Sequence, residues 1–178
     1  MWGPQALGNT KRDTTIIRTI ADLGRRLPLI EGVVILDMAL RRRLIALDDL
    51  NAWTTSHPRH RGIRRLQQAM ELADAASESP MEARLRVLLV SAGLPKPCVQ
   101  AEIHDGGTFI ARVDLLYPEL PRHRVRRRDP SRVDRRRQWR QNRLIDAGYR
   151  ILRFTASDIV RTPAGMVGQV QRALGSNR

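Results

Sequence analysis

Two runs rich in β-forming residues, CVQAEIH from Cys98 and TFIARVDLLY from Thr108 to Tyr117, are separated by Asp105, Gly106 and Gly107. This punctuation constrains the chain more than any other feature. Paired glycines supply the positive φ angles of a tight loop, so the two runs must lie side by side as an antiparallel hairpin. Helical patterns flank it. SPMEARLRVLLVSAG reads as a helix with Ser79 as N-cap, Pro80 at the first helical position, Glu82 three residues after the cap and Gly93 as its stop. After the hairpin come a polar helix near DRRRQWRQNRLIDAG stopped by Gly148, a short strand YRILRF, a helix capped by Thr155 or Ser157, and a last helix after Pro163. Helix, hairpin, helix, strand, helix predicts an α/β (α+β) domain over residues 79–178, an ordinary domain size. Apolar periodicity places Val87, Leu88, Ile110, Val113, Leu115, Ile151 and Leu152 in its core. The segment PRHRVRRRDPSRVD fits no element, and residues 122–134 are expected to be irregular and exposed.

The residues before Ser79 carry only helical signals. Thr14 and Thr15 can cap a helix over 16–25, and Pro28 suits the first turn of a second, through LIEGVVILDMALRRR. Asp48 and Asp49 open a third, LDDLNAW, and IRRLQQAMELAD forms a fourth. The sequence thus predicts a disordered tail over 1–13 and a small all-helical unit over 14–78. Nothing in that unit looks like chemistry. His57 and His60 lie three apart beside Pro58, but without an acid or cysteine nearby they read as a surface loop.

Composition narrows the function classes. No apolar run approaches the roughly 20 residues of a membrane span, and the stretch Leu27 to Leu40 is broken by Glu31 and Asp37. The first residues lack the apolar core of a signal peptide. One cysteine, Cys98, excludes an internal disulfide framework and a cysteine-based zinc site. A cytoplasmic protein fits. The net charge of +14 points to a polyanion, DNA or RNA by default. Nearly all of this charge is arginine, with Lys11 and Lys96 the only lysines, and 11 arginines lie between Arg122 and Arg143 against Asp129 and Asp134.

Three segments then carry a resemblance: SPMEARLRVLL, ARVDLLYPEL and RQNRLIDAGYRILRFTASDI. In this order and spacing they resemble the Vsr-like endonuclease domains of the PD-(D/E)XK restriction-endonuclease-like superfamily. The helical unit resembles the connector of long bacterial members, which usually begin with an AbiEi-type winged-helix, antitoxin-like domain; this chain resembles an N-terminally shortened member. The resemblance implies Mg²⁺-dependent DNA cleavage. Hydrolysis of a phosphodiester needs divalent cations to activate water and stabilise the leaving oxygen, and Mg²⁺ wants convergent carboxylates. By resemblance Asp114 supplies one acid, and Glu82 joins or supports it as a second metal ligand. By resemblance Gln141 matches a catalytic helix position, with Asn142 beside it facing the scissile phosphate; on the residues alone both read as solvent-exposed, and Arg153 faces either a phosphate or solvent. Glu82 could equally do no more than complete the capping box with Ser79. Arg122, Arg124, Arg126, Arg127, Arg128, Arg140 and Arg153 are the candidate nucleic-acid contacts, to phosphates and without sequence preference. Tyr149 and Phe154 read as core.

The family's other acid belongs to a Glu-Tyr-Asp-Gly strand, expected a few residues after Glu119-Leu120. The sequence there reads PRHRVRRRDP, with no acid at the strand positions and with prolines at both ends, a poor central strand. The genetic code suggests one explanation. Read from the second base of each codon, His123 to Arg128 become triplets that permit Ile, Glu, Tyr, Asp and Gly in that order. This predicts a reading frame that slips before Arg122 and recovers before Trp139, with part of the +14 an accident. The other explanation is a divergent arginine-rich loop. Three functions therefore stand open: a catalytically impaired endonuclease, a non-catalytic nucleic-acid-binding protein, and a non-functional frameshifted product.

Overall fold

The computed structural model describes residues 10–118, 123–127 and 135–175. The chain forms two compact units, Met1–Ala75 and Ala76–Arg178.

In the first unit, α1 (Thr10–Arg26), α2 (Leu29–Arg41), α3 (Leu47–Ser56) and α4 (Ile63–Leu72) surround a core that includes Val33, Leu36, Leu50, Leu66 and Ala69, all fully buried. Two expectations are corrected here. The first helix starts at Thr10, so Thr14 and Thr15 lie inside it rather than capping it, and residues 10–13 are helical where disorder was expected. Extending an already nucleated helix costs little when no Gly or Pro intervenes. Pro28 is the N-cap of α2 and stands just outside its first turn. His57 closes α3, and its ring stacks on Trp53 at a centroid distance of 4.4 Å.

In the second unit, α5 (Pro80–Ser91), β1 (Cys98–Asp105), β2 (Thr108–Tyr117), β3 (His123–Arg127), α6 (Arg135–Asp146), β4 (Arg150–Phe154), α7 (Ala156–Arg161) and α8 (Pro163–Gly175) give a mixed α/β fold. The hairpin forms as its glycines require: Asp105 pairs with Thr108 across Gly106 and Gly107, at φ +54° and +81°. The sheet runs β1-β2-β3-β4, with β2 antiparallel to both neighbours and β3 parallel to β4. One core cluster joins Leu85 and Leu89 of α5 to Leu115, Tyr117, Phe154, Ile159, Met166 and Val170. A second joins Ile103, Ile110, Ala111 and Val113 to Leu144 of α6. Of the expected core, Val87, Ile110, Val113 and Leu115 are buried, and Leu88, Ile151 and Leu152 pack partly buried against the clusters. Thr155, not Ser157, caps α7, in a reciprocal capping box with Asp158. Among the described residues no helix is long and apolar enough to cross a membrane.

The expectation of an irregular, disrupted segment is corrected at its centre. Residues 123–127 form β3, between β2 and β4. Local propensity opposes this strand, but β2 and β4 would otherwise present unpaired N–H and C=O groups to each other, and a strand's identity is set largely by its partners. A paired central strand counts against the frame slip, which predicted no element there. Residues 119–122 and 128–134 lie outside the described residues.

Candidate functional site

Glu82 projects from the first turn of α5, where Pro80 fits because its missing N–H would be unsatisfied anyway. It is only 8% exposed. Its Oε1 accepts from Ser79 Oγ at 2.9 Å, and its Oε2 accepts from the Glu78 N–H at 2.9 Å and from Gln100 Nε2 at 2.8 Å. In return Ser79 Oγ accepts from the Glu82 N–H at 3.3 Å. The Ser79 cap is therefore present, but the reciprocal half of the box is not: the Glu82 carboxylate takes the Glu78 N–H and the Ser79 hydroxyl in place of the Ser79 N–H, and a further bond runs to β1.

Gln100 is the residue that sequence reasoning missed. It sits in β1 at φ +51°, a left-handed conformation that L side chains seldom adopt. In the ladder Val99 pairs with Leu115 and Ala101 with Val113, so Gln100 stands opposite Asp114. The boundary between the two core clusters falls on this row: Val99 and Leu115 belong to the first, Ala101 and Val113 to the second. Residues two apart in a regular strand share a face. At this left-handed residue the Gln100 amide reaches Glu82. The one available signal was a polar residue between Val99 and Ala101 in an apolar run; the backbone conformation left none.

Asp114 is half-buried in β2. Two residues on, Leu116 shares a face with Asp114 by pleat alternation; it packs in the cluster around Leu144, to which the adjacent Val113 also belongs. Ile151 belongs to the same cluster and shares a face with Arg153. Arg153 is exposed and donates from Nη2 to Gln141 Oε1 on α6 at 2.6 Å. Asn142 is exposed on the same helix, and Arg140 lies in it. Phe154 is buried and Tyr149 half-buried, as their reading as core requires.

The register then defines a row across the sheet. Leu115 pairs with Val125 and Val125 with Leu152. One step along lie Asp114 in β2, Arg126 in β3 and Arg153, which pairs with Arg126. With strands about 4.8 Å apart, Gln100, Asp114, Arg126 and Arg153 span about 14 Å of one line. Arg124 and Arg127 also lie in β3; Arg122 and Arg128 lie outside the described residues. The structure thus connects Glu82 to Gln100 and Gln141 to Arg153, and aligns Asp114 between them.

Both Glu82 oxygens already accept hydrogen bonds, and β3, on one side of Asp114, carries no acid. Among the described residues no group of three His, Cys, Asp or Glu side chains could hold a metal ion.

No protein-family model matches the chain, and no solved structure matches it significantly. Two proteins of Mycobacterium tuberculosis are similar: uncharacterized protein MT2308 of strain CDC 1551 / Oshkosh and uncharacterized protein Rv2248 of strain ATCC 25618 / H37Rv. Each is 26% identical over 164 residues, covering 90% of this chain and 60% of the relative. The chain thus spans about 60% of the length of the curated relatives it matches.

Proposed function

We propose that this chain is a DNA-binding protein on a restriction-endonuclease-like core, catalytically impaired, that holds duplex phosphates without cutting them. One observation carries the reading: the ladder position beside Asp114 in β3 is Arg126, and the next along the row is Arg153. A metal-dependent nuclease needs a second carboxylate converging on that point. The positive charge of an arginine at that position disfavours a divalent cation and favours an anionic phosphodiester. The resemblance of SPMEARLRVLL, ARVDLLYPEL and RQNRLIDAGYRILRFTASDI to Vsr-like domains supports the choice of DNA as ligand.

The test is binding of the full chain to a scrambled-sequence duplex, followed by fluorescence anisotropy across a salt series. Tight binding at low salt that weakens steeply and without regard to sequence is expected. Arg153→Ser should weaken it about equally on every sequence. Binding that Arg153→Ser leaves unchanged would refute the assignment of the sheet row.

A further inference from the structure

The helical unit carries an arginine groove that the sheet reading does not use. It lies where the last turn of α1, with Arg25 and Arg26, meets the first turn of α4, with Arg61 just before it and Arg64 and Arg65 within it. These side chains line an open groove of about 780 Å³. Gly62 makes the meeting possible. It holds φ +84° as the N-cap of α4, and a Cβ there would collide with the Arg25 carbonyl oxygen.

The arginines divide into two kinds. Arg25 and Arg65 build the junction. Arg25 pairs with Asp22 at 2.7 Å and donates to the Arg61 carbonyl at 3.1 Å, while Arg65 donates to the Leu27 carbonyl at 3.3 Å. Arg26, Arg61 and Arg64 are exposed, and among the described residues their guanidinium groups are in no ion pair. A helix N-terminus ordinarily gains from acidic residues, because its free N–H groups carry partial positive charge. The first turn of α4 has none and carries Arg64 and Arg65 instead. Three exposed guanidinium groups outside the junction's hydrogen bonds, with one acid near them in Asp22, and a helix N-terminus are thus gathered on one concave surface. That costs stability through like-charge repulsion unless an anion neutralises it.

We propose that this groove is a second phosphate-backbone contact, gripping duplex DNA from the helical unit. Arginine forks match the paired oxygens of phosphodiesters, and helix N-termini bind the same groups. An open groove lined by five arginines suits an extended polyanion better than a small enclosed metabolite.

The proposal stands on the helical unit alone, so it can fail separately from the reading of the sheet. The experiment compares the full chain with a triple variant, Arg26→Ser, Arg61→Ser and Arg64→Ser, on one scrambled duplex over a salt series. Each lost phosphate contact should reduce the slope of log K against log salt by about 0.9, so about 2 to 3 in total, with affinity near 0.1 M salt falling roughly tenfold or more. The matching Arg→Lys triple should keep the slope, and the single charge reversal Arg64→Glu should lower affinity even if the triple variant folds poorly. Unchanged slope and affinity in folded Ser and Glu variants would overturn the groove. So would binding that Arg153→Ser alone abolishes, or a groove that answers to an acidic polypeptide and not to DNA.

Discussion

Glu82 shows how one residue can satisfy two demands that sequence treats as alternatives. Its carboxylate accepts from the hydroxyl of the Ser79 cap and also takes the Gln100 amide. The cap was legible, because Ser-Pro-x-Glu is a local pattern; the bond to Gln100 was not, because it depends on a backbone reversal 18 residues away. Ser79→Ala should destabilise the protein by about 1 kcal/mol in urea denaturation, the usual cost of losing an N-cap hydroxyl. At position 100 the order of variants is the test. Gln100→Gly keeps the left-handed backbone without strain, whereas Gln100→Val places a β-branched side chain there. The Val variant should be the less stable by about 1 kcal/mol or more; equal stabilities would show that the strand does not hold that conformation. Asp22 gives a pH dependence. The hydrogen bond from Arg25 holds its carboxyl below the usual 3.8, against burial, and the charges of Arg25, Arg26 and Arg18 add to the effect. A depressed folded value means stability present above the ordinary carboxylate pKa and lost as pH falls through the folded one. Asp22→Asn should therefore be slightly less stable than the parent at neutral pH, and the two stability curves should converge in acid.

At the scale of elements, legibility followed how local each signal was. The hairpin, the helix after Pro80 and the capped α7 announced themselves through turn glycines and caps. β3 did not, since HRVRR between prolines has little strand propensity of its own; only the register of β2 and β4 assigns it a place. If that register is right, Val125→Pro removes a ladder donor in the middle of the sheet. Amides of β2 and β4 should then exchange faster with deuterium, while the helices of residues 10–72 keep their protection. Unaltered protection in β2 and β4 would place the strand elsewhere. The same register makes β3 the strand to repair. Exchanging residues 122–127 for a strand carrying Glu-Tyr-Asp-Gly should give a protein that cleaves DNA with Mg²⁺, and Asp114→Asn in that protein should silence it.

For the molecule as a whole, the net charge of +14 is the property that both proposed surfaces share. The charge itself was plain in the sequence. Its division was not, because the sequence drew attention to the run from Arg122 to Arg143, while the groove assembles Arg25 and Arg26 with residues 35 and more positions away. That PRHRVRRRDP offers no acid before Asp129 was visible in the sequence; that Arg126 lies one step along the register from the Leu115–Val125 pair, beside Asp114, required the ladder. The central claim is that this chain grips DNA and does not cut it. The most direct measurement incubates supercoiled plasmid with the purified chain at low salt, with Mg²⁺ or with EDTA, and reads retention and nicking on the same sample. Retention in both conditions with the plasmid still supercoiled is the predicted result. Nicking that requires Mg²⁺ and disappears in Asp114→Asn would contradict it.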